Sequence, residues 1–189
     1  MKLIVGVVTT LALVACHVGP RASPAASAAI HLADCRGSAR SLPDSLARRL
    51  PPRTGRMRPD DQWADLAATA PGGFAGVFYD SAHTPILQLT HPELGDTAKK
   101  VLAETLAFPV KRAVIRRARW DFGQLVDWFN YLYPRLPGPS IGDKDEALNR
   151  IRLAASSPEA RERLIQALKA MDLPCDLVVV DPHDFIVRY

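Results

Sequence analysis

The sequence predicts an α+β fold of two small modules, ββαβα and βαβ, packed together behind a disordered N-terminal tether. Three observations carry that expectation. Aromatic and β-branched runs bounded by turn signals lie at 74–79, 86–90 and 177–180. Apolar residues recur at helical spacing over 97–108, 122–133 and 160–171. Segment 16–59, in contrast, is dominated by Pro, Ala, Ser and Arg, a composition unsuited to burying a core.

The N-terminus comes first. Lys2 and the apolar run 3–12 are too short to span a bilayer as a helix, so 1–15 reads as a signal peptide. Leu13-Val14-Ala15-Cys16 resembles the lipobox of bacterial lipoproteins. That resemblance implies cleavage before Cys16 and lipid attachment to it, with the palmitate-type acyl chains of such anchors holding the mature protein on the membrane. His17, rather than Asp, follows the cysteine, which by the same resemblance points to the outer membrane, facing the periplasm.

The folded part is expected to begin at residue 60. Asp60-Asp61 opens a helix carrying Trp63, Leu66 and Ala67, and Pro71-Gly72-Gly73 ends it. Phe74–Tyr79 and 86–90 form a hairpin about a turn at 80–85, and 97–108 is an amphipathic helix. Segment 110–120 reads as a strand through Ala113-Val114-Ile115. Asp121 and Gln124 make a capping box for a helix whose stripe is Phe122, Leu125, Val126, Phe129, Leu132 and Tyr133. Segment 60–134 is thus the first module, 135–146 a polar linker, and 147–189 the second. In the latter, Ile151 and Leu153 mark a half-buried strand, and Ser157-Pro158-Glu159 starts a helix. Its stripe runs from Ala160 to Met171, Pro174 breaks it, and 177–180 is a buried strand.

Phe74-Ala75-Gly76-Val77-Phe78-Tyr79-Asp80, the second hairpin strand, and Val114-Ile115-Arg116-Arg117 running into Trp120-Asp121-Phe122-Gly123-Gln124-Leu125 resemble the pro-region of secreted serine proteases of the α-lytic and streptogrisin type. Asp145-Glu146-Ala147-Leu148-Asn149-Arg150-Ile151 resembles the companion module. The resemblance covers 72–182. It implies a non-enzymatic protein-binding module directed at a serine protease, with the tail Phe185-Ile186-Val187 and beyond entering the protease cleft. No protease follows Tyr189, so such binding is expected between separate chains.

Composition narrows the chemistry. Removing Lys2 with the leader leaves 23 cations against 20 anions, +3, spread along the chain, which is no nucleic-acid footprint. Loss of Cys16 to lipid leaves Cys35 and Cys175, an even pair in an oxidising envelope and therefore an expected disulfide. Gly138-x-Ser140-x-Gly142 matches a nucleophile elbow with Asp181 and His183 in hydrolase order, yet prolines precede Ser140 and a polar linker follows it. No catalytic residue is expected. His31 with Cys35, the loop residues His83 and His91, and the Asp181-Pro182-His183-Asp184 run do not complete a metal site, and no cofactor is expected. Asp80, Asp121 and Asp127 are read as capping or exposed carboxylates rather than acid–base pairs. Trp128 and Tyr131 fall off the helix stripe and, with Arg116 and Arg119, mark a candidate interaction surface. For the two rings themselves, packing beneath the Arg/Pro segment is the expectation and the interface is the alternative. The expected function is a lipid-anchored envelope protein that binds a partner protein. A scaffold role in an envelope assembly is the alternative, and an esterase-like hydrolase using Ser140 is the remote one.

Overall fold

The computed structural model describes residues 30–31, 41–48, 50, 59–138 and 140–181. Cys16, Cys35, His183 and the 185–189 tail lie outside them. The fold is α+β. Strand β1 (Ile30–His31), a one-turn helix α1 (Asp44–Ala47) and helix α2 (Pro59–Thr69) precede the first sheet. That sheet is built from β2 (Phe74–Tyr79), β3 (Pro85–Leu89) and, after helix α3 (Gly95–Thr105), β4 (Val114–Arg117). Helix α4 (Phe122–Leu132) leads to the second sheet, made of β5 (Ser140–Asp145), β6 (Arg150–Ala155) and, after α5 (Pro158–Lys169), β7 (Val178–Val180).

Both sheets follow one plan. An antiparallel hairpin is followed by a crossover helix, and the third strand returns parallel to the hairpin's second strand, giving the orders β2-β3-β4 and β5-β6-β7. Local chemistry sets the turns. In the first hairpin, Asp80 Oδ1 accepts the N–H groups of Ala82 and Thr84 at 3.0 and 2.9 Å, and His83 takes a left-handed φ of 57°. Ser157 accepts the N–H of Ala160 at 3.1 Å to start α5, and Asp121 with Gln124 completes the capping box of α4.

Three expectations are corrected. The 135–146 linker contains β5, so the second module starts at Ser140 and is ββαβ rather than βαβ. Ser140-Ile141-Gly142-Asp143-Lys144-Asp145 is an edge strand with polar and glycine positions, and its pairing with β6 supplies the order that its own composition does not. The 16–59 segment is not wholly a tether: β1 adds antiparallel to β7, Leu42 is buried, and Leu46, Ala47 and Leu50 pack on the second core. Segment 110–120 is strand only over Val114–Arg117, because Val110–Arg112 forms a 3₁₀ turn ahead of it.

Helix α4 joins the two units because it is buried on two sides. Phe122 and Val126 enter the first core with Phe74, Leu87, Leu89, Ala98 and Leu102. Leu125, Trp128 and Leu132 enter the second with Ile151, Leu153, Leu164 and Val178. Trp63 of α2 caps the first core, edge-on to Phe74 and Phe122 at 5.6 and 5.1 Å between centroids.

Candidate interaction surface

The turn Glu146-Ala147-Leu148-Asn149 between β5 and β6 docks onto the first unit, and each of its contacts is specific. Asn149, at a left-handed φ of 54°, accepts the N–H groups of Arg119 and Trp120 on Oδ1 at 2.8 and 2.9 Å and donates from Nδ2 to the Trp120 carbonyl at 2.8 Å. Gln88 donates to the Ala147 carbonyl at 3.4 Å. The Glu146 methylenes lie over Gly76, where an added Cβ would come within 2.9 Å of Glu146 Cγ. This seam accounts for Asp145-x-x-x-Asn149-Arg150: Asp145 accepts the Leu148 N–H within the turn, and Asn149 ties the turn to the entry of α4.

Charge at the seam is dense. Lys144, nearly buried, bonds Asp60 of α2 at 2.7 Å with its ammonium 4.2 Å from the Phe129 ring centroid. Burial pushes the Glu146 carboxyl up to about 7, and the neighbouring Asp143, Asp145 and Asp60 push in the same direction. Burial also raises Asp143. Gln88 Oε1 and Trp120 Nε1 are buried without a hydrogen-bond partner among the described residues. The bonds of Asn149 and Gln88 and the Lys144–Asp60 pair hold the two units together, so these polar residues read as docking contacts.

The interaction surface expected from sequence splits in two. Trp128 is 2% exposed and belongs to the second core, where Leu42 and α1 of the Arg/Pro segment also pack; Tyr131 is half-buried and edge-on to it at 6.0 Å. They are therefore packing residues, as expected for rings beneath the Arg/Pro segment. A second buried face on α4 is what a single amphipathic stripe fails to reveal.

Arg116 and Arg119 do lie on the surface, beside Arg117, at the open edge of the first sheet. Arg116 reaches Asp80 at 3.3 Å, Arg117 reaches Glu93 at 3.7 Å, and Arg119 reaches Asp176 at 2.8 Å. The Asp80 carboxyl is held below the usual carboxylate range, first by the Thr84 backbone N–H. A groove of about 340 Å³, lined by Thr90, Arg117, Ala118 and Arg119, opens where β4 ends. Val114 is 50% exposed at its start. No family model, curated protein or solved structure matches the chain. The likeness to protease pro-regions rests on the sequence motifs alone.

The remaining candidates are placed as follows. Ser140 begins β5, half-buried rather than in an exposed linker, and its carbonyl accepts the Tyr133 hydroxyl at 2.8 Å. A hairpin turn, not a helix, follows β5, so the strand-to-helix elbow is not built there. Asp181 is buried and its carboxylate bonds Arg152. His83 and His91 are exposed loop residues, and among the described residues no group of three His, Cys, Asp or Glu could hold a metal. Cys175 is half-buried and is not a free thiol.

Proposed function

We propose that the chain is a lipid-anchored envelope protein, tethered at Cys16, whose α+β part is a non-enzymatic module for binding another protein. The observation that carries this reading is the β4 edge: a sheet edge with no strand beside it among the described residues, an exposed Val114, and three arginines at its end. Unpaired edges are templates for added strands, and Arg is enriched where proteins bind. The lipobox supports the anchor, and the motif resemblance favours a serine protease as partner.

The reading is tested in two steps. Cys16→Ala is expected to leave an unprocessed precursor that takes up no fatty-acid probe; continued labelling overturns the anchor. A photo-cross-linking residue at Val114 is expected to give a discrete, saturable adduct in intact envelopes, and the same residue at Glu162 of α5 is not. Equal labelling from both positions, or none from Val114, overturns the binding reading.

A further inference from the structure

The shared plan of the two sheets makes β4 and β7 equivalent, because each is the third strand lying parallel to the second strand of its hairpin. The hydrogen bonds match residue for residue. The Ala118 N–H donates to the Leu89 carbonyl at 2.8 Å, and the Asp181 N–H donates to the Leu153 carbonyl at 2.8 Å. Arg117 therefore corresponds to Val180, Arg116 to Val179 and Ile115 to Val178. In the second unit the outer edge of this strand is already filled: β1 lies antiparallel on it, with Ile30 opposite Val180 and His31 opposite Val179. In the first unit the same edge is empty among the described residues.

The alternation of a strand decides what that edge offers. The Ala118 N–H points toward β3, so Val114 and Arg116 turn their backbone groups inward, and Ile115 and Arg117 turn theirs outward. The side chains differ from those of β7 in one respect: an all-valine strand is replaced by Val114-Ile115-Arg116-Arg117. Lys111 and Arg112 extend the cationic run at the entry to β4. A second copy pairing antiparallel through the same edge would bring cations of the two chains together, which is unfavourable.

We infer that β4 receives an antiparallel strand from another protein, as β7 receives β1, and that this strand carries two consecutive acidic residues followed by two apolar ones. The inference rests on the protein-binding reading above. Read in the partner's direction, the acids lie opposite Arg117 and Arg116 and the apolar residues opposite Ile115 and Val114. The exposed pairs with Asp80 and Glu93 are weak enough to be exchanged for new ones.

The test uses the mature lipidated protein in zwitterionic nanodiscs and the fluorescent peptide acetyl-Asp-Glu-Val-Ile-Thr-amide. Saturable binding is expected. Arg116→Glu with Arg117→Glu should weaken it about tenfold or more without changing the melting temperature, and the peptide with Lys-Lys in place of Asp-Glu should restore binding to that variant. N-methylation of the peptide Val, opposite Ile115, should block binding, whereas N-methylation of the Glu, opposite Arg116, should not. Undiminished binding to the charge-reversed variant overturns the inference, as do equal effects of the two methyl groups. Arginine-dependent binding to phosphatidylglycerol vesicles with no peptide binding also overturns it, assigning the cations to a lipid surface. If the peptide fails while the Val114 adduct persists in envelopes, the strand inference falls and the binding reading stands.

Discussion

Glu146 brings a carboxyl into the seam between the two units, where burial and three neighbouring aspartates oppose its ionisation. The folded chain therefore holds a proton that the unfolded chain releases near the ordinary glutamate value of 4.5. With the folded value raised to about 7, stability falls as pH rises from 4.5 through 7 and levels off above that window. The span corresponds to on the order of 3 kcal/mol. Urea titrations at pH 5 and pH 8 should show this loss in the wild type and a much smaller one in Glu146→Gln, and parallel profiles for the two would show that Glu146 ionises freely in the fold. Asn149 acts on the same seam through geometry alone, since its three bonds to Arg119 and Trp120 involve no charge on the side chain. Its role was visible in the sequence only as part of Asp-x-x-x-Asn-Arg, because the backbone groups it satisfies lie about thirty residues earlier.

Helix α4 is the element on which both cores depend. Trp128→Ala removes a side chain packed among Leu42, Leu132, Leu164 and neighbours, and is expected to cost about 3 to 5 kcal/mol in urea unfolding. A loss below about 1 kcal/mol would mean that Trp128 lies at the surface and not in the second core. The helices were legible because their signals are local: the capping box at Asp121 and Gln124 and the Ser157 cap both occur as read. The first hairpin was legible for the same reason, through the Asp80 turn. Strand β5 was not, since a polar edge strand owes its order to β6 and not to its own pattern. The second face of α4 was hidden for a related reason: the residues that cover Trp128 come from the Arg/Pro segment and from β6 to β7, far away in the chain.

At the scale of the molecule, the register of β1 on β7 supports the disulfide expected between Cys35 and Cys175. The last observed pair is His31 opposite Val179, and Cys35 and Cys175 each lie four residues further on in the same direction. We therefore propose that they are joined. Non-reducing digestion followed by mass spectrometry should recover one linked pair of peptides, and two alkylatable thiols in protein from the envelope would refute the bond. In the chain-entropy picture, closing a loop of about 140 residues contributes roughly 5 kcal/mol, less any strain, so reduction should lower the urea midpoint clearly.

The same pairing also fixes an order of events. Ile30 meets Val180 across 150 residues of chain, while β2, β3, α3 and β4 lie within 44 residues, from Phe74 to Arg117. Contacts so distant form late, because the ends must find each other before the pairing returns any energy. A ribosome that has released only the first nine-tenths of the chain can let the first sheet assemble, but it leaves the second without its last strand. The hem that β1 sews onto β7 is thus expected to be a late stitch of folding, made only after β7 itself has formed.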